Sequence, residues 1–299
     1  MGSENVESVM IDDNGNHLEG TPVHELGFVK LLDVMGNDEE VENAARVSYG
    51  IGTRKVSQTR NLIRYLMRHK HTSPFEMCEV KFHIKLPIFV MRQLVRHRTA
   101  NLNEYSGRYS VMSDEYYLPQ GDYLQKQSST NNQGRGEPHP SKGALQFEFN
   151  RVYDNANIAY HNLLEEDLAR ELARAVLPVA NYTEVIWKID LHNFFHVIKL
   201  RADSHAQREI QDYANAMYEL VKPHFPLCCE AFEDYSRDAV TFSASEMKFI
   251  KEVVVGDLID EWEGYTDEEF NDEVLTKKYK LSKREMNELK EKLGQEKNQ

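Results

Sequence analysis

The spacing of apolar residues changes along this chain, and each change marks an element. Val80, Phe82 and Ile84 alternate with Glu79, Lys81, His83 and Lys85, a period of two that predicts a half-buried strand. Leu62, Ile63, Leu66 and Met67 instead recur at helical spacing, which predicts a helix over Ser57–Lys70. Glu39–Ser48 reads as a shorter helix. The apolar run Phe28, Val29, Leu31, Leu32, Val34 and Met35 after Gly27 suits a strand or a buried lead-in segment. Pro87 suits the first position of a helix. That helix contains Ile88, Phe89, Val90, Met91, Leu94 and Val95, and it runs into Arg96-His97-Arg98. The chain then continues as a loop through Asn101, Asn103, Ser106 and Gly107. Gln146–Ala175 is mostly helical and is stopped by Pro178. Asp190 is placed to cap a helix over Leu191–Leu200. Ser204 and Gln207 have capping-box spacing for a further helix reaching Val221.

The polar segments divide the chain. Residues 1–25 form a polar, loose N-terminal segment. Residues 26–239 hold the patterned core domain, and 299 residues are ample for a buried core. Within it, 119–143 are rich in Gln, Ser, Asn, Gly and Pro and read as a mobile surface insertion or lid. Residues 240–299 form an acidic and then basic extension. In it, Ser282 and Glu285 make a capping box and Leu281 can staple onto Met286, which predicts a short terminal helix. No apolar run is long enough to cross a membrane. No basic region followed by an apolar one opens the chain, so no secretory signal is expected. Cys78, Cys228 and Cys229 make no disulfide framework, which suits a reducing cytoplasm.

Charge sharpens the picture. A net charge of -13 argues against nucleic-acid binding. Between Asp257 and Glu273 lie nine acidic residues and no basic one, yet Arg92–Arg108 holds four arginines against Glu104 alone. Arginine offers a planar fork for phosphate and a flat face for rings. With Gln93 one helical turn before Arg96, and with the donors of Ser106 and Gly107, the stretch predicts an anion pocket at a helix end. The competing reading is a basic helix end that complements the helix dipole. His192 and His196 are four apart and could ligate one metal on a helix. They motivate an alternative, a metal-dependent nucleotide hydrolase, although no glutamate follows His192 as in zinc protease helices. Otherwise they are two histidines on a partly buried face, and no metal site is assigned. Cys228 and Cys229 read as buried structural thiols.

Arg96-His97-Arg98, then seven residues, then Ser106, resembles the signature of the flavin-dependent thymidylate synthases. Asn103-Glu104-Tyr105-Ser106-Gly107-Arg108-Tyr109-Ser110 continues it, with Asn101 where many members carry Ser. Gly27-Phe28-Val29, Ala44–Tyr49, His71–Glu76, Arg174–Pro178 and Leu200–Gln207 resemble further motifs of that family, in its order. The resemblance implies an α+β fold: one α/β domain with a central, mostly antiparallel sheet flanked by long helices. It implies a homotetramer with sites between subunits. It also implies methylation of dUMP to dTMP, with 5,10-methylenetetrahydrofolate as carbon donor and NADPH as reductant through FAD, and no enzyme nucleophile. On the family pattern Gln93, Arg96, Glu104, Tyr105, Ser106, Gly107, Arg108, Arg174 and Arg201 hold dUMP. His71, Ser73, Arg96, His97, Arg98, Glu104, Asp190, His192 and His196 hold FAD. Ser73 stands where threonine is common and keeps the hydroxyl. Arg201 is the implied catalytic residue, set against the pyrimidine ring to favour its N3-deprotonated form.

Overall fold

A computed structural model describes residues 20–47, 59–129 and 134–250, together with the backbone of 10–11 and 17–18. By internal packing the chain divides into two compact units, Met1–Arg237 and Asp238–Gln299.

Strands β1 (Met10–Ile11) and β2 (His17–Leu18) pair as a short antiparallel ladder. The main sheet contains β3 (Thr21–Val23), β4 (Gly27–Met35), β5 (Glu79–Pro87), β6 (Asn101–Glu104) and β9 (Tyr182–Asp190). Its order is β3-β4-β5-β9-β6, and every pairing is antiparallel. The alternation read in β5 buries Val80, Phe82, Ile84 and Leu86 on one face. Opposite them β9 buries Val185, Trp187 and Ile189. Each fully buried side chain of this kind contributes roughly 1.5–3 kcal/mol. The other face is polar and is laced by ion pairs such as Lys188–Glu79 and Lys85–Glu115.

The buried face carries α1 (Asp38–Arg46), α2 (Thr59–Arg68), α3 (Ser73–Glu76), α4 (Ile88–Leu94), α7 (Leu191–Arg201), α8 (Arg208–Val221) and α9 (Pro226–Phe232). Asn37 caps α1 by accepting from the N–H groups of Glu39 and Glu40, while Asp190 caps α7 by accepting from Asn193 N at 2.9 Å. A smaller cluster of Met112, Tyr160 and Ala173 holds α5 (Lys142–Glu165) and α6 (Arg170–Ala173). Before α5 in sequence come β7 (Gln125–Gln127) and β8 (Arg135–Pro138), a hairpin within the 119–143 segment. In the second unit α10 (Ala244–Ile250) opens on a reciprocal Ser243–Glu246 capping box.

Four local expectations need correction. The loop expected from Asn101 begins as strand β6, because its backbone pairs with β9 at the sheet edge while its side chains stay exposed. Pro87 ends β5 and is the N-cap of α4 rather than its first residue, since its extended ψ of 145° suits the strand. Thr21–Val23, within the stretch read as loose, is a paired strand. Gln146–Ala175 is mostly helical, as read, with one interruption. The chain breaks at Asp167, whose φ of 61° is left-handed and tolerable for Asp, a break that no Gly or Pro announces. Ser204 does not cap α8. Gln207 is the N-cap, and its side chain is engaged elsewhere. The Ser282–Glu285 helix and the acidic run lie outside the described residues, as does Ser57, the first residue of the predicted second helix.

Candidate functional site

The signature arises where α4 ends and β6 begins. Helix α4 stops because Val95 and Arg96 turn back onto it, the Arg96 N–H reaching Gln93 O at 3.3 Å and the His97 N–H reaching Leu94 O at 3.1 Å. The next residues pass to the outermost strand, where Asn101 pairs with Lys188 and Glu104 with Val185. Arg96 therefore sits at a helix C-terminus, and so does Arg201, the last residue of α7. Each gains from the negative end of its helix.

The structure sorts the sequence-predicted residues into three groups. The first gathers Gln93, Arg96, His97, His196 and Arg201. Arg201 Nε donates to His97 Nε2 at 3.0 Å, and the His97 and His196 rings lie 6.0 Å apart. Burial, then the Arg201 charge, then His196 push His97 from 6.5 down to about 4. Arg201 is itself lowered, by burial first and by Arg96 second. Two cations thus face each other. Among the described residues, neither the Arg96 nor the Arg201 side chain has an acidic partner. Gln93 Nε2 donates to Gln207 Oε1 at 2.7 Å, and Gln207 Nε2 donates to Glu209 Oε2 at 2.9 Å. Buried Glu209 also receives Tyr117 OH and Arg135 of β8. The hairpin is thereby tied to the end of the first group.

The second group gathers Glu104, Tyr105, Ser106, Gly107, Arg108 and Arg174. Thr183 Oγ1 donates to Glu104 Oε1 at 3.0 Å, and Tyr105 OH donates to Val111 O at 2.9 Å. Ser106 O accepts from the N–H groups of Tyr109 and Ser110, so the chain turns back at once. Two staples fix this turn to α6: Arg108 Nε to Glu171 at 3.0 Å and Arg170 to Tyr109 O at 2.8 Å. Gly107 is required here by close approach. An added Cβ would stand 2.8 Å from Met112 Sδ and 3.2 Å from Arg174 Cδ. Arg174 lies against the turn and, among the described residues, makes no ion pair.

The third group gathers His71, Ser73, Asp190 and His192, because α3 packs on α7. His71 and Ser73 are exposed, and His71 lies in an aromatic cluster with Tyr65 and His69. Asp190 is occupied as the cap of α7, also accepting from Asn193 Nδ2 at 2.7 Å. The exposed His71 ring and the exposed Ser73 hydroxyl suit a flat, phosphate-bearing cofactor. Among the described residues no hydrogen bond, ion pair or ring contact joins the second group to the first.

The competing chemistries find no assembled site. Among the described residues no group of three His, Cys, Asp or Glu could hold a metal ion, so the hydrolase alternative lacks its ligand set. The thiols are buried and pushed upward chiefly by burial: Cys78 to about 11, Cys229 to about 12, and Cys228 well above its usual value. They stay protonated and unreactive at neutral pH. Ser106 Oγ accepts the Arg108 N–H at 3.4 Å and, among the described residues, meets no imidazole or carboxylate. Sequence reasoning missed Arg170, Glu171 and Met112, which shape the Ser106 turn, and no motif marks them. No described helix is long and apolar enough to cross a membrane.

Comparison with known proteins adds the context. The family described as thymidylate synthase complementing protein matches residues 30–227. Flavin-dependent thymidylate synthase of Ruegeria pomeroyi is 48% identical over 244 residues, covering 80% of this chain and 81% of its own. The enzyme of the same name from Wolbachia pipientis wMel is 46% identical, covering 88% of both. That of Dictyostelium discoideum is 48% identical, covering 79% of this chain and 81% of its own. Among solved structures, the UMP/dUMP methylase PolB of Streptomyces cacaoi, bound with 5-Br UMP, superposes with a TM-score of 0.66 at 34% identity. It covers 72% of this chain and 98% of its own.

Proposed function

The chain belongs to the family of flavin-dependent thymidylate synthases, and from that premise we propose that it methylates dUMP to dTMP. The carbon comes from 5,10-methylenetetrahydrofolate and the reducing equivalents from NADPH through FAD. The single observation that carries this reading is the Arg96–Arg201 pair, two cations held together beside a neutral histidine with no acid among the described residues to neutralise them. Such a site is built for an anion that arrives from outside.

In this reading the Arg201 guanidinium lies along the uracil edge and lowers the N3 proton affinity by about 1–3 pK units. The deprotonated base is then electron-rich enough at C5 to take the methylene carbon without a protein nucleophile. Gln93, Arg96, Glu104, Tyr105, Ser106, Gly107, Arg108 and Arg174 hold the nucleotide. Arg108 and Arg174 serve its phosphate, and the Ser106 turn offers backbone donors. His71, Ser73, Arg96, His97, Arg98, Glu104, Asp190, His192 and His196 hold FAD, which when bound supplies the reducing electrons.

The separation of the Ser106–Arg174 group from the Arg96–Arg201 group within one chain supports a site shared between subunits, and with it a homotetramer. Sedimentation equilibrium at monomer mass would remove that element. The catalytic unit is residues 26–239, flanked by the 1–25 and 240–299 extensions, and the protein works in the cytoplasm.

The deciding experiment is anaerobic. NADPH-reduced flavoprotein is mixed with dUMP and methylenetetrahydrofolate, and flavin oxidation is followed beside thymidylate formation by mass spectrometry. Oxidation that requires both substrates and yields dTMP stoichiometrically is expected. Flavin that stays reduced, or oxidises without dTMP, overturns the proposal.

A further inference from the structure

An arginine whose charge must act on a substrate has two needs that conflict. It must be oriented, and the usual orienting partner is a carboxylate, as Glu171 is for Arg108. A carboxylate also cancels the charge. Arg201 is treated differently. Its Nε donates to His97 Nε2 at 3.0 Å. An imidazole nitrogen accepts only when it carries no proton, so His97 has its proton on Nδ1. The titratable groups that act on this ring, Arg201 and His196 of α7, are both basic. Burial first, then Arg201 and His196, keep the ring unprotonated, pushing it down to about 4. The edge contact with His196, at 73° between ring planes, limits rotation of the ring. With Nε engaged, the N–H groups of both Nη atoms remain for a ligand, in one plane and at one orientation.

We propose that His97 is a positioning residue that orients the Arg201 guanidinium for the pyrimidine without discharging it. The inference rests on the reading of Arg201 as the cation facing uracil. It assigns His97 a task separate from holding FAD. In the working enzyme His97 is an acceptor whose value lies in being neutral, and a protonated ring would repel the arginine it holds.

The test uses the flavin-loaded enzyme and two substitutions. His97→Phe keeps the ring volume and removes the acceptor, whereas His97→Gln keeps an oxygen acceptor at similar reach. For His97→Phe, kcat is expected to fall about a hundredfold, as for a misplaced catalytic group. Its KM for dUMP should change little when kcat is read at full flavin occupancy, reached by adding FAD in excess. His97→Gln should recover most of that loss. Joined to Arg201→Ala, His97→Phe should cost nothing further, because it acts through the arginine. Nitrogen-15 spectra of the wild-type flavoprotein should show the Nδ1–H tautomer with no titration down to about pH 5.5, since a free imidazole would titrate near 6.5.

Wild-type turnover in His97→Phe overturns the inference. So does His97→Gln as impaired as His97→Phe, or a His97→Phe defect cured by reloading FAD. An ordinary titration near 6.5 would do the same. The outcome for Arg201→Ala separates the two levels. If Arg201→Ala turns over normally, the reading of Arg201 fails and takes this inference with it. If Arg201→Ala is inactive and His97→Phe is not, only the role of His97 falls.

Discussion

Two arginine clusters stand on opposite terms with their surroundings. Between α2 and α9, Arg60 and Arg64 are held by Glu230, Asp234 and Tyr235, and Arg64 also lies 4.7 Å from the Tyr235 ring. Glu230 is pulled below its usual range by Arg60. Every charge there is answered within the protein. At the ends of α4 and α7, Arg96 and Arg201 face each other and neither has an acidic partner among the described residues. The first cluster joins two helices. The second sets two cations near each other, and no acidic side chain among the described residues pairs with either. That contrast is what the proposed anion site at Arg96 and Arg201 rests on.

The largest effect that tests this contrast is Arg201→Ala. Turnover should fall by about 100- to 1000-fold, the scale of losing an electrostatic contact to a developing charge. Flavin content and melting temperature should hold, and an unchanged kcat would erase the functional half of the comparison. Next comes a paired exchange with methionine. Arg96→Met should weaken nucleotide binding at least about tenfold, with no loss of melting temperature because a repulsion is relieved. Arg64→Met should do the reverse, lowering the melting temperature and leaving kcat alone. Matching behaviour in calorimetry and binding would show the clusters to be alike.

The smallest effect is a pH dependence. His97 is depressed in the folded protein, so the unfolded chain takes up its proton first. Stability from this residue is whole above pH 6.5 and is lost as pH falls toward about 4. The unfolding free energy of the wild type, from urea titrations, should therefore drop between pH 7 and 5 by on the order of 1 kcal/mol more than that of His97→Gln. Equal slopes would contradict the assigned burial of the ring.

The legible and illegible parts of this protein divide along physical lines. Val80, Phe82 and Ile84 declared β5 because one face is buried and the other wet, and Asp190 declared α7 because a cap is a local bond. The signature pointed to an anion site because arginines are rare in clusters on an acidic chain, and the proposed function keeps that reading. What stayed hidden depended on distant partners. Asn101–Glu104 carries four exposed side chains, so nothing in its pattern shows that its backbone pairs with β9. Asp167 breaks a helix through a conformation that many residues avoid and Asp accepts. His97 could be named as a site residue, but its acceptor role follows only from Arg201, 104 positions away.

The unanswered charge of Arg96 and Arg201 also bears on how stable the folded protein is. An anion that fills the site supplies the missing countercharge to the folded chain and nothing to the unfolded one. At a hundred times its dissociation constant such a ligand adds about 2.7 kcal/mol to stability. On the proposed function, melting temperature should therefore rise with dUMP concentration, and the empty protein should be the less stable one.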